Sequence, residues 1–405
     1  MAQAGARGEN VFAVTVHVVG AGVAGLAAAC TLAEAGERVV LHEAAKAAGG
    51  RCRSYFDPAL ECRIDNGNHL LLSGNLSTMA YLKRVGAEGS LTGPAAPDFP
   101  FVDLASGAHW TLRINPGRLP WWIFSPARRV PGTQAKNYLA LLQLRRARSE
   151  DLVAPLVGHC GALYEKLLAP LAIAALNTMP EVASAAPLRA VVAETIERGG
   201  AHCVPRWPAV GLSESFIDPA LAFLEAKGAD IRLSSRVAAL VPGQKTVLAV
   251  PPWIARELLP NLTVPDAFEA IANLHFVHEM PPGPAGFWGV IGGTAEWVFA
   301  KGKITSATIS AANRVAEVPN EVLAELVWAD LVRAFGVPAD MPVFRVVREK
   351  RATFAATPAQ LARRPGTRNA DKNVFLAGDW TDTGLPATIE GAIRSGNRAA
   401  LALLG

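Results

Sequence analysis

The stretch Val14 to Glu43, VTVHVVGAGVAGLAAACTLAEAGERVVLHE, constrains the fold more than any other part of the chain. Apolar residues alternate and then run together to Val19, and a glycine cluster, Gly20-Ala21-Gly22-Val23-Ala24-Gly25, breaks the run. An alanine-rich helical segment follows to Gly36, and a second apolar run ends at Glu43. The pattern reads strand, turn, helix, strand. Gly20 permits the tight turn, Gly22 lets the backbone approach a pyrophosphate, and Gly25 lets helix and strand pack closely. Phosphates are expected on the free N–H groups at the positive end of the helix that starts near Val23 and Ala24. Glu43 stands 18 residues beyond Gly25, where a carboxylate accepts hydrogen bonds from both ribose hydroxyls and repels a 2′-phosphate. The expected ligand is FAD or NAD rather than NADP, and an ordinary βαβ turn without a ligand is the alternative.

The end of the chain carries a second such signal. Asn373 to Asp379 reads as a strand delivering Gly378 and Asp379 to a loop, with a helix over Ala387 to Leu404 after it. Asp379 suits a polyol chain, and the start of the last helix aims N–H groups at nearby negative charge. A reduced flavin is anionic at its pyrimidine edge, so that helix would favour reduction. The alternative is a surface terminus with Asp379 as a helix cap. Gly49-Gly50-Arg51 places permissive glycines before a guanidinium. Ile64-Asp65-Asn66-Gly67-Asn68-His69 is a polar cluster ahead of an apolar run, and its plainest reading is a turn with an Asx cap.

The remaining segments suggest two or three domains for 405 residues. Helices are expected over 75–86, 217–228 and 321–335, with a largely helical stretch over 150–198. Hairpin strands are expected at 99–104 and 108–114, and an antiparallel sheet over 270–311. Strands are expected over 245–250 and 343–349, and over 229–240, the last bringing Val237 toward an adenine. Hydrophobic residues make up 51% and charged ones 18%, fewer than the ~25% charged of an ordinary domain. An apolar cavity or patch is expected from that balance. No run reaches the ~18 apolar residues of a spanning helix, and MAQAGARGEN has no signal-peptide centre, so a cytoplasmic location is expected. Five cysteines without C-x-x-C spacing read as free thiols, and a net charge of +4 gives no case for nucleic acid. Trp121 and Trp122, followed by Arg128 and Arg129, suit peripheral contact with the inner face of a membrane; the alternative is that the rings are core and the arginines a solvated face.

The motifs together resemble the FAD-dependent amine oxidase and phytoene desaturase superfamily: GAGVAG with Glu43, GGR at 49–51, and LAGDW with GLPATIEGAIRSG near the end. In detail, IDNGNHLLLSG, LAPLAIAALNTMPEVASA, FIDPALAFLEAKGA, REKRATFAATPAQ and GDWTDTGLPATIEGAIRSG resemble the bacterial hydroxysqualene dehydroxylases, also called squalene-associated FAD-dependent desaturases. The resemblance implies a mixed α/β chain, with a doubly wound Rossmann-like FAD domain and a substrate domain of antiparallel sheet and helices. The expected division is 11–75, 205–260 and 345–405 for the FAD domain and 76–204 with 261–344 for the substrate domain, after a flexible tail over 1–10. It further implies that Gly20, Gly22, Val23, Ala24, Gly25 and Glu43 hold the ADP part, that Gly50 and Arg51 lie by the pyrophosphate or flavin, and that Gly378 and Asp379 hold the ribitol. The backbone at Thr388 and Ile389 is implied to face the flavin pyrimidine. The lysine that many amine oxidases place near the flavin is not evident, and His275 and His278 stand in that stretch.

The implied reaction replaces the allylic hydroxyl of hydroxysqualene, a C30 isoprenoid, with hydrogen, yielding squalene for hopanoid synthesis. Hydroxide leaves well only when protonated, so a general acid is expected beside the flavin, with Asp65, His69 and Asp382 as candidates. A loop-orienting role is the alternative for each. The chain shows no nicotinamide motif of its own, which leaves the electron donor unknown. Rival readings are an amine oxidase or carotenoid desaturase, and a prenyl-lipid carrier of the same fold that has lost its flavin.

Overall fold

The computed structural model describes residues 15–280 and 286–405; the expected tail over 1–10 lies outside the described residues. The glycine-rich unit forms strand Thr15–Val19, helix Val23–Glu34 and strand Arg38–His42. These belong to a five-stranded sheet in the order Asp230–Arg232, Arg38–His42, Thr15–Val19, Thr246–Leu248, Val374–Leu376, with every pair parallel. Strand residues alternate between its two faces. Val16, Val18, Val247 and Phe375 point into the core formed with the first helix and the last, Ile389–Leu404. Val19, Leu248, Val374 and Leu376 point into a second apolar cluster on the opposite face. Burial on both faces is why these strands are continuous apolar runs in the sequence.

The two ends of the chain meet in this layer. A Cβ added to Gly396 would lie 2.0 Å from the Ala24 carbonyl oxygen, so the first and last helices touch backbone to backbone. Helix Leu76–Arg84 packs on the same layer through Tyr81 and Leu82. It is pinned by the buried Glu390, whose carboxylate accepts from Ser77 N at 3.1 Å, Thr78 N at 2.8 Å and Thr78 Oγ1 at 2.8 Å. Those backbone donors are N–H groups that a helix start leaves unpaired.

A seven-stranded sheet forms the second layer, in the order Phe344–Phe354, Phe268–Val277, Ile304–Ile309, Trp297–Lys301, Phe287–Ile291, Asp98–Asp103, Ala108–Arg113. Helix Asn320–Phe335 covers it with Leu323, Val327, Trp328 and Leu331. The sheet is mixed rather than wholly antiparallel, because the hairpin over 98–113 docks on Phe287–Ile291 in parallel.

Three expectations need correction. Residues 345–354 belong to this second sheet, since Phe344–Phe354 pairs with Phe268–Val277. Residues 76–84, expected in the substrate domain, pack with the nucleotide sheet. Strand 229–240 stops at Arg232, because Ser234 turns left-handed at φ 53°. Val237 therefore sits in a half-buried coil, although Ser235 N still pairs with Glu43 O at 2.7 Å and keeps the segment beside that carboxylate.

Candidate functional site

The glycine turn leaves a cradle shaped for a dinucleotide. Gly20 has φ +104°, and a Cβ there would lie 2.6 Å from the Ala249 carbonyl oxygen. A Cβ on Gly25 would lie 1.8 Å from the Gly20 carbonyl oxygen, so both positions demand glycine for packing. Gly22 differs: an added Cβ meets nothing within 4 Å, and one on Gly50 meets only the Gly22 Cα, at 3.7 Å. Space in front of Gly22 is thus open where phosphate would lie. The helix behind it has no side-chain cap and no acid in its first turn, so the N–H groups of Val23 and Ala24 face that space with the positive end of the dipole. Glu43 closes the floor, accepting from Ala21 N and Ala45 N, each at 2.8 Å. These residues fit a dinucleotide.

At the other end, Arg51 Nη2 donates to Asp379 Oδ1 at 2.7 Å and Arg51 Nη1 donates to the Ala352 carbonyl. Gly378 has φ +142° and its N–H donates to Ser395 Oγ at 2.8 Å, which ties the loop to the last helix. Thr388 caps that helix by accepting from Gly391 N at 3.0 Å, and Ile389 is buried behind it. The groups implied for ribitol and flavin therefore converge from residues 328 positions apart in sequence. The hollow next to Arg51 and Asp379 is lined by Pro251, Pro252, Trp253, Phe268, Arg351, Thr353, Phe354 and Trp380. It draws on both layers. The Arg351 guanidinium lies 4.6 Å from the centre of the Trp253 ring, a cation–π contact that adds a second cation beside Arg51 to a wall of mixed polarity.

The three candidate acids separate sharply. Asp65 is buried, with Oδ2 2.7 Å from Lys301 Nζ and Oδ1 accepting from Ser54 Oγ at 2.7 Å and Leu212 N at 2.9 Å. Burial alone would raise its carboxyl, but the Lys301 ammonium and those donors outweigh burial and hold it below the usual carboxylate range. An anion so held is a poor proton donor. Asp382 is exposed and accepts from Gly384 N at 3.2 Å in a surface Asx turn. His69 is half-buried, and neither ring nitrogen bonds a described residue. Burial, opposed by the Asp65 charge and reinforced by Lys301 and Arg51, pushes it down to about 4. It is neutral at pH 7, so it can donate a hydrogen bond through one N–H but is not itself an acid there.

Four groups had no signal in the sequence. Lys301 ends a strand in a Lys-Gly-Lys turn that reads as solvated, yet it folds inward onto Asp65. Arg364, in a basic run, is half-buried beneath the loop, donating to the Asp379 and Thr381 carbonyls, and desolvation lowers its pKa to about 10. Asn273 and Ser306 join His275 to the polar cluster: Asn68 Nδ2 donates to Ser306 Oγ at 2.7 Å, Ser306 Oγ lies 2.9 Å from His275 Nδ1, and Asn68 N donates to Asn273 Oδ1 at 3.3 Å.

His275, 1% exposed, is pushed down to about 4 by burial and then by Lys301. An unfolded histidine takes its proton near pH 6.5, so between pH 6.5 and 4 the unfolded state binds the extra proton and stability falls as pH falls. That term amounts to about 3 kcal/mol across the window and vanishes above it. Denaturant melts from pH 7.5 to 4.5 should show the loss, and His275→Asn should flatten the slope; equal slopes would remove His275 as the cause.

The tryptophan pair divides between core and surface. Trp122 is core at 3% exposed, packed edge-on against Tyr138, while Trp121 is 66% exposed. Arg129 Nη1 donates to the Ile123 carbonyl at 3.0 Å, a structural bond within its own loop, and Arg128 is half-buried. Among the described residues, no helix is long and apolar enough to cross a membrane.

Comparison with known proteins agrees with this geometry. The family model described as flavin containing amine oxidoreductase matches residues 23–279 and 299–404. The chain is 46% identical to the hydroxysqualene dehydroxylase of Rhodopseudomonas palustris, over 95% of this chain and 97% of that protein. It is 44% identical to the one of Sinorhizobium fredii, again over 95% and 97%. Among solved structures, cyclohexylamine oxidase from Brevibacterium oxydans superposes with a TM-score of 0.71 at 18% identity, covering 96% of this chain and 98% of that one. That likeness shows the fold. The chain is thus a flavin-dependent oxidoreductase, and it belongs to the flavin containing amine oxidoreductase family and, within it, to the hydroxysqualene dehydroxylases.

Proposed function

We propose that this protein removes the allylic hydroxyl of hydroxysqualene reductively, giving squalene, with FAD as its cofactor. The observation that carries the reading is the agreement with hydroxysqualene dehydroxylases over 95% of the chain. The cradle at Gly22, the carboxylate of Glu43 and the Arg51 and Asp379 pair support FAD, since together they offer partners for both nucleotide and ribitol. Bound and reduced, FAD supplies the hydride. The chain's own residues do the rest. Val23 and Ala24 N–H groups neutralise phosphate, and Glu43 holds ribose. The hydrocarbon would be held by burial of apolar surface, which contributes about 25 cal/mol per Å².

A proton must reach the departing hydroxyl from solvent, and the proposed role of His69, a neutral imidazole, is to hydrogen-bond and orient that hydroxyl. Of the three candidates it alone combines partial burial with free ring nitrogens, whereas Asp65 is an anion locked to Lys301 and Asp382 faces solvent. His69→Ala should slow oxidation of reduced flavin by substrate by about 10²–10³-fold in single turnover through loss of that hydrogen bond. Asp382→Ala should leave it unchanged. An unimpaired His69→Ala enzyme would end the assignment.

The reaction itself is tested anaerobically. Protein reduced with dithionite is mixed with hydroxysqualene, and the return of flavin colour should match squalene formation mole for mole. Hydrogen peroxide release from an amine, or dehydrogenation of phytoene, without squalene would favour the oxidase or desaturase. A purified protein without flavin colour would favour the lipid carrier.

A further inference from the structure

Two short helical turns, Trp121–Phe124 and Ala135–Leu139, are packed back to back. On the inside, Trp122 and Tyr138 are buried with ring centres 5.0 Å apart. On the outside, Trp121, Phe124 and Leu139 are 66%, 62% and 61% exposed, and Leu119 and Leu142 are 64% and 52% exposed. The Trp121 and Phe124 rings lie 6.3 Å apart, so these side chains form one apolar surface rather than scattered singletons.

The chain segment that carries this surface bears charge of one sign only. From Leu104 to Ser149 the chain carries eight of its 39 basic residues and none of its 35 acidic ones. Arg118, Lys136, Arg145 and Arg146 are exposed there. Arg145 reaches Glu197 at 3.3 Å, whereas Arg118, Lys136 and Arg146 form no ion pair with a described residue. A second copy of the chain is a poor occupant, because a two-fold contact through this face would set cation against cation. An interface that is apolar at its centre and anionic around it fits better. A phospholipid surface has that chemistry, with acyl chains for Trp121 and Phe124 and headgroup phosphates for the cations.

We propose that the Trp121, Phe124 and Leu139 face is a monotopic docking surface for a bilayer containing anionic phospholipid. The surface is the outside of an apolar cluster that runs from Trp122 and Tyr138 to Phe354 and Trp380 on the wall of the hollow. Docking there sets that cluster against the bilayer. The docking claim stands on the patch alone and does not depend on the reaction.

Flotation of the flavin-loaded protein tests it without turnover. Vesicles of phosphatidylcholine with three-tenths phosphatidylglycerol should carry the wild type upward, and phosphatidylcholine alone should carry much less. Trp121→Ser with Phe124→Ser should cut binding roughly tenfold. Arg118→Glu, Lys136→Glu and Arg146→Glu together should abolish the preference for anionic vesicles. Val210→Ser, at an 80% exposed apolar residue elsewhere, should bind like wild type. Retained flavin absorbance reports that each variant is folded. A wild type that floats with neither vesicle, or a Trp121 and Phe124 double variant that floats as well as wild type, overturns the proposal. So does sedimentation showing a wild-type dimer that the double variant splits, which would assign the face to a second copy.

Discussion

Gly25→Ala is expected to give a protein that purifies without flavin colour and is less stable by about 3 kcal/mol. The new Cβ would lie 1.8 Å from the Gly20 carbonyl oxygen and 3.2 Å from Ala249 Cβ, far inside contact distance, and the first of these is backbone. Backbone cannot swing away as a side-chain tip does. Relief requires the helix Val23–Glu34 to move off strand Thr15–Val19, and the helix start is what carries the Val23 and Ala24 donors. Cofactor binding and stability are thus lost together. Flavin absorbance per mole of protein, with a urea melt, reads both. Gly36→Ala makes the contrast: its added Cβ meets nothing, and only the φ of +90° is strained, so it should cost about 1 kcal/mol and keep its colour. A Gly25→Ala protein with full flavin content would show that the close approach is not what seats the helix.

Glu390→Ala is expected to destabilise by about 3–5 kcal/mol. Glu390 is 2% exposed and accepts from two N–H groups at the start of helix Leu76–Arg84, from Thr78 Oγ1, and from Arg394 Nη2 at 3.1 Å. Alanine strands donors that have no water to turn to, and each buried unsatisfied group costs about 1–3 kcal/mol. Arg394 keeps Glu194, at 2.8 and 2.6 Å, so the charge itself is not orphaned. The damage should therefore concentrate on the helix. Amide exchange over residues 76–84 should rise in Glu390→Ala more than in the strands, and Glu390→Gln, which keeps an acceptor, should fall between. Equal exchange in wild type and Glu390→Ala would show that the helix is held by its apolar face, Tyr81 and Leu82, alone.

These two residues mark a difference in what a reader of the sequence can see. Gly25 is legible because the atom an added Cβ would strike first, the Gly20 carbonyl oxygen, lies five residues away in sequence, although Ala249 also closes on it from a distant strand. Glu390 reads as an ordinary first-turn acid near a helix start, and its partners are 312 residues away at Thr78. The candidate site divides the same way. The cradle from Gly20 to Glu43 and the loop at Gly378 and Asp379 are each contiguous, and both lie where their motifs put them. The long strand Phe344–Phe354 was read short and given to the wrong layer, because alternation marks a strand without naming its partner.

Local sterics and periodicity were enough for the nucleotide unit, the last strand and helix, and the alternating strands of the second sheet. Each rests on interactions spanning a few residues, and a glycine at φ +104° or a period of two is visible in the letters themselves. Only the folded chain decided that Trp121 faces out while Trp122 faces in, and that Asp65 meets Lys301 across 236 residues and so stays ionised. Such outcomes depend on which surfaces are brought together. Burial, and with it the charge state of a carboxylate or an imidazole, belongs to the assembled layers and not to any one segment.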